Sequence, residues 1–155
     1  MDYIEFVVKY GGKLEDVKSR CGSIKAFVRR AEDFPSLVAQ EGLVAALTFY
    51  YSKAEGRPVK PEDIREVKEE KADLKQASRG QESEGVGCGE VTSEGEGYSL
   101  YLNFLLEVLR TFGGLKCESP LECIREVRRN EFVLTRLILP ILVEMKKVAH
   151  IIEGE

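Results

Sequence analysis

From residue 14 to 31, apolar side chains recur at Leu14, Val17, Cys21, Ile24, Val28 and Ala31. The steps of three and four place them on one stripe of an α-helix. Gly22 falls inside this stretch and weakens it by about 1 kcal/mol relative to alanine. The short apolar patch from Ile4 to Val8 either joins this helix through Gly11 and Gly12 or forms a separate turn. Asp33-Phe34-Pro35 reads as an interruption, because proline suits the first turn of a new helix, where its missing N–H is not needed. Ser36 to Lys53 is apolar on most faces and predicts a central, buried helix. Leu37, Leu43 and Tyr51 are read as core. The aromatic run Phe49-Tyr50-Tyr51 could offer base stacking, but at the end of a buried helix it is read as core too.

Gly56-Arg57-Pro58 breaks the chain, and Pro61-Glu62-Asp63 fits a helix start. Ile64, Val67, Lys71 and Leu74 give a thin stripe, so a charged surface helix is expected over 61–78. Residues 80–97 hold six glycines and five acids without a base. Such a stretch can bury little and predicts a mobile loop. Its Gly85-Val86-Gly87-Cys88-Gly89 is not a phosphate loop, since no Lys-Ser/Thr follows and no strand precedes. Tyr98 to Phe112 reads as a helix, with Tyr101, Leu102, Leu105, Val108, Leu109 and Phe112 on one stripe, stopped by Gly113-Gly114. Ser119-Pro120 with Glu122 is a capping-box start for a helix reaching about Arg129. A break near Asn130 precedes a final helix through Leu134, Leu137, Ile138, Ile141, Met145, Val148 and Ile152. Pro140 should kink that helix. No segment alternates with period two. The pattern predicts an all-α fold: a single domain over 1–155, a compact bundle of five to six helices with a Gly/Glu-rich loop at 80–97.

Composition sharpens this picture in three places. Apolar residues make up 43% of 155 residues, enough for one core. No apolar run approaches the roughly 20 residues that span a bilayer, and MDYIEF lacks a basic start, so a cytoplasmic protein without membrane contact is expected. Cys21, Cys88, Cys117 and Cys123 lack the close pairing of zinc ligands. Free thiols are expected, with Cys21 as a small core residue; Cys117 and Cys123 could bridge if the fold brings them together. The lone His150 and the absence of metal-binding or nucleophile-elbow motifs give catalysis, a metal or a cofactor no foothold.

The net charge of −4 is uneven. Residues 55–97 hold 7 bases and 12 acids, whereas 13–30 are basic. On a helical wheel Lys18, Lys25 and Arg29 fall within about 40° of one another, opposite the apolar stripe, with Arg30 flanking. Arg125, Arg129 and Arg136 also align if their helix is continuous. Such stripes can track phosphates. The plainer reading is the solvated face of an amphipathic helix.

The stretch SIKAFVRRAEDFPSLVAQEGLVAALTFYYSK at 23–53 resembles the small subunit of type III-B CRISPR–Cas effector complexes, the Cmr small subunit. Pro35-Ser36-Leu37, Glu41-Gly42-Leu43 and Leu47-Thr48-Phe49-Tyr50-Tyr51 follow that family's order, with Glu41 where asparagine is usual. The tail LECIREVRRNEFVLTRLILPILVEMKKVAHII is similar to the family's end, and Phe132 supplies the aromatic after the break. The missing tryptophan and Pro140 point to a divergent subfamily or a related type III variant. The resemblance implies an all-α, non-catalytic subunit of a ribonucleoprotein in antiviral defence. Its partners would be guide and target RNA, other effector subunits and further copies of itself. Lys18, Lys25, Arg29, Arg30, Arg125, Arg129 and Arg136 are the expected RNA-backbone contacts. A helical scaffold that binds protein alone is the alternative.

Overall fold

The computed structural model describes residues 2–66, 86–92 and 95–154. Among them are six α-helices: α1 (Tyr3–Cys21), α2 (Lys25–Glu41), α3 (Leu43–Lys53), α4 (Tyr98–Thr111), α5 (Pro120–Arg129) and α6 (Glu131–Glu153). The one sheet is minimal. β1 (Ile64–Arg65) pairs in parallel with β2 (Val86–Gly87), Ile64 opposite Val86. The bundle expected from periodicity is present, with several boundaries moved.

The first boundary lies at Gly22. The apolar patch Ile4–Val8 does join α1, which starts at a local cap where the Glu5 N–H donates to Asp2 at 2.8 Å. The stripe over 14–31, however, is two helices. Gly22 adopts φ 86°, and its N–H closes α1 on the Lys18 carbonyl at 2.7 Å. Left-handed backbone at this position ends the helix as a glycine cap does. The second boundary is Gly42, with φ 95°, and not Pro35. Pro35 sits inside α2, where it removes the N–H that would bond the Ala31 carbonyl. The helix persists because Ala31, Phe34 and Val38 on the same face are buried. Packing of an apolar face outweighs one lost bond. The Tyr50 hydroxyl also holds this stretch, donating to Asp33 at 2.9 Å.

The central helix is α4, not the stretch Ser36–Lys53. Ten of its residues are buried, from Tyr98 to Leu109, while α3 turns Ala45, Thr48, Phe49 and Ser52 outward. Leu43 and Tyr51 are core and Leu37 packs against it, as read from the pattern. The rings of Phe6, Tyr10, Phe27, Phe34, Tyr50, Tyr101 and Phe104 form a continuous aromatic chain through α1, α2, α3 and α4. Asn103, in the middle of α4, is buried and accepts the Tyr10 hydroxyl at 2.7 Å.

Helix α6 continues through Pro140 and spans 23 residues in all, roughly 35 Å at 1.5 Å per residue. Both α1 and α2 pack along it. Its two ends perform a further task. The N-cap residues of α2 and α3, Ile24 and Gly42, make no side-chain cap bond, although the Ser23 hydroxyl accepts the Lys25 N–H at 3.0 Å. Glu153, at the end of α6, accepts the Ile24 N–H at 2.7 Å and the Ser23 hydroxyl at 3.0 Å. Glu131, at its start, accepts the Val44 N–H at 2.9 Å. The C-terminal carbonyls of α6, Ile152 and Glu153, accept from Lys18 at 3.0 and 2.7 Å. The opposite charges stand where helix ends favour them.

The expected surface helix over 61–78 does not form at its start: Pro61–Asp63 is a single 3₁₀ turn and Ile64–Arg65 is extended. Val67, Lys71 and Leu74 lie outside the described residues. Of the expected loop at 80–97, the described residues 86–92 and 95–97 are fastened rather than loose. Val91 is fully buried and accepts the Ala26 N–H at 2.9 Å. Glu90 accepts from the Ser99 and Leu100 N–H groups at 3.0 and 3.3 Å, capping α4. Burial raises its carboxyl above the ordinary range, against the lowering effect of those two bonds. The expectation of free thiols fails: Cys21 is joined to Cys88 and Cys117 to Cys123. Sequence spacing concealed the first pair, because 67 residues separate its members.

A crosslink across a long loop restricts the unfolded chain more than one across a short loop. Cys21→Ser with Cys88→Ser should therefore cost about 2–4 kcal/mol, and Cys117→Ser with Cys123→Ser less. Urea unfolding of the two variants, followed by circular dichroism, checks the order.

Candidate nucleic-acid interface

The seven cations singled out by the wheel do not form two stripes. The break at Gly22 separates Lys18 from Lys25 and Arg29, and the break at Asn130 separates Arg125 and Arg129 from Arg136. Their surroundings divide them further. Lys18 is half-buried on the α6 carbonyls described above. Arg29 donates to the Gly95 carbonyl at 2.7 Å and so ties α2 to the segment before α4. Arg30 lays its guanidinium 4.4 Å from the centre of the Tyr98 ring. Its Nε is buried and has no hydrogen-bond partner among the described residues.

The other four are exposed. Lys25 opens α2 and has no ion-pair partner among the described residues. Arg125 pairs with Glu122 at 3.2 Å, one turn away, with both side chains well exposed. A pair of this kind contributes little and exchanges readily. Arg129 borders a shallow depression together with Lys116, Glu118, Ser119, Glu122, Glu126 and Asn130. Glu126 is occupied there, accepting from the Lys116 and Cys117 N–H groups at 3.1 and 3.0 Å. Arg136 stands 5.8 Å from the ring centre of Phe132, which is 73% exposed.

A second cluster lies where α2, α3 and the start of α4 meet. Arg30 belongs to it, and so does Lys53, which the wheel did not single out. The Lys53 ammonium stands 5.8 Å from the Phe49 ring centre and 5.7 Å from that of Tyr98. Tyr50 and Tyr51 are core, as expected, but Phe49 is 44% exposed and departs from that reading. The four-residue spacing from Phe49 to Lys53 was the signal available in the sequence. The cluster's carboxylate, Asp33, is engaged by the Tyr50 hydroxyl. Burial, and then that bond, push the Tyr50 hydroxyl well above its ordinary pKa, so it stays a donor.

Other titratable groups are placed without convergence. His150 pairs with Glu32 on the surface. Among the described residues no group of three or more His, Cys, Asp or Glu side chains is arranged to hold a metal ion. No described helix is long and apolar enough to cross a membrane. What the geometry offers is a set of exposed cations on a scaffold in which Asp2, Glu90, Glu126, Glu131 and Glu153 are engaged with backbone N–H groups.

A family model described as CRISPR-associated protein (Cas_Cmr5) matches residues 11–152. No curated protein and no solved structure matches the chain significantly.

The division of cations has a direct consequence for stability. Lys18→Met should cost about 1.5–3 kcal/mol, because it removes two charge-assisted bonds to helix-end carbonyls. Lys25→Gln and Arg129→Gln should stay within about 0.5 kcal/mol of the parent. Urea midpoints of the three variants check the difference.

Proposed function

The chain belongs to the Cas_Cmr5 family of CRISPR-associated proteins, and from that premise we propose that it is a non-catalytic small subunit of a type III effector complex. Its work in antiviral defence is to contact the backbone of guide and target RNA and to stabilise assembly in the cytoplasm. The observation that carries this reading is the family match over residues 11–152. Lys25, Arg30, Arg125, Arg129 and Arg136 make the phosphate contacts. Lys18 and Arg29 hold the helices that present them. Backbone contacts fix register without reading sequence, and guide pairing supplies specificity, as in other RNA-guided systems. A chain of net charge −4 holds RNA weakly alone, so neighbouring subunits complete the groove.

One observation favours a protein-binding surface beside this role. Phe132, Val133 and Leu137 are exposed on α6 at 73%, 62% and 43%. Tyr3, Leu139, Pro140 and Val143 line a shallow depression further along the same helix. Contiguous apolar surface of this kind marks contact with a protein neighbour, either another effector subunit or a further copy of this chain. The two surfaces together suit a subunit held between RNA and protein.

Capture of the full chain through a tag in its native host, with sequencing of co-purifying RNA, tests the proposal. Guide-length RNAs with repeat-derived ends, together with larger subunits, are expected. Protein partners without RNA would contradict the RNA role and leave the scaffold.

A further inference from the structure

We infer that Phe49, backed by Tyr98, with Lys53 beside it and Arg30 on the Tyr98 ring, is a platform on which an unpaired RNA base stacks; this rests on the RNA-contact reading above. The ring is held from behind. It meets Tyr50 at 6.1 Å between centres and Tyr98 at 6.1 Å, edge-on at 81°. Those two rings are themselves locked at 4.8 Å and 81°. Tyr50 and Tyr98 are buried, so the exposed part of the cluster is Phe49. A ring fixed in this way loses little freedom when a base settles on it.

Charge identifies the occupant. Arg30 and Lys53 stand beside the rings, and neither is within 4.0 Å of a carboxylate among the described residues. The carboxylate of the cluster, Asp33, already accepts from Tyr50. Base stacking on an aromatic ring with cations on the adjoining phosphates is the general means of holding single-stranded nucleic acid. A protein partner fits this position less well. Phe49 is the one large apolar side chain exposed on α3, and its outward neighbours Ala45, Thr48 and Ser52 are small or polar. The contiguous apolar surface lies on α6 instead. Every base has a π face, so the platform takes any base and adds affinity without sequence preference. It favours unpaired over duplex RNA.

Irradiating the assembly captured through a tag on the full chain with short-wave ultraviolet light, then mapping nucleotide adducts by mass spectrometry, tests the inference. An adduct at Phe49 is expected. Phe49→Leu should reduce it roughly 5- to 100-fold, and Phe49→Trp should keep it, with both variants recovered in the assembly and folded by circular dichroism. RNA adducts elsewhere on the chain with none at Phe49, or a Phe49 crosslink to protein, would overturn the platform and leave the phosphate contacts standing. An assembly that carries no RNA would overturn the RNA-contact reading, and the platform with it.

Discussion

The arrangement of the bundle depends on carboxylates at the two ends of α6 that cap other helices. The N-cap residues of α2 and α3, Ile24 and Gly42, take up no leading N–H group, and local help is confined to the Ser23 hydroxyl, which accepts from Lys25. Unsatisfied groups at a buried helix start are costly. Glu153 and Glu131 answer that need across 129 and 87 residues of chain. Lys18 returns the favour at the carbonyl end of α6. Each contact sits at a helix end of the complementary sign, so hydrogen bond and dipole act together. Burial supplies most of the stability, as it does in any bundle. The caps select which helix ends meet, and so fix how α2 and α3 lie against α6.

This constraint divides the charges by task. Glu131 and Glu153 face the protein's own backbone, as do Glu90 and Glu126 at other turns. Lys18, Arg20 and Arg29 face carbonyls. The net charge of −4 therefore describes the surface poorly. Glu90, Glu126, Glu131 and Glu153 are turned to backbone N–H groups, while Lys25, Lys53, Arg129 and Arg136 project outward. A mildly acidic protein can present cationic surface to RNA on those terms. The same fold leaves the start of α6 apolar and exposed, which suits a member of an assembly better than a protein that works alone.

Much of the fold was legible from periodicity. α4 follows its single stripe from Tyr98, and α5 starts at the Ser119 cap, where the Glu122 N–H donates to the Ser119 hydroxyl at 3.3 Å. What escaped was non-local. Gly22 and Gly42 end helices by taking positive φ, yet in sequence each resembles a tolerated interior glycine. Pro35 is a strong local signal that lost to the buried face of α2. The Cys21–Cys88 bond and the long-range caps join residues that no spacing rule connects. The candidate site was only partly legible for the same reason. A helical wheel assumes a continuous helix, and breaks at Gly22 and Asn130 scattered the residues it had aligned. Phe49 and Lys53 follow a local spacing, but their exposure and their meeting with Tyr98, whose ring also carries Arg30, depend on the tertiary fold.

Hydrogen exchange of the full chain carrying Glu131→Gln and Glu153→Gln tests the capping account most directly. Glutamine keeps the shape and an acceptor but removes the charge at both helix starts. The account predicts faster exchange at the Ile24 and Val44 amides and in the first turns of α2 and α3, by roughly 5- to 30-fold for about 1–2 kcal/mol at each cap. Exchange in the middle of α4 should change less. Unaltered exchange at Ile24 and Val44 would contradict it.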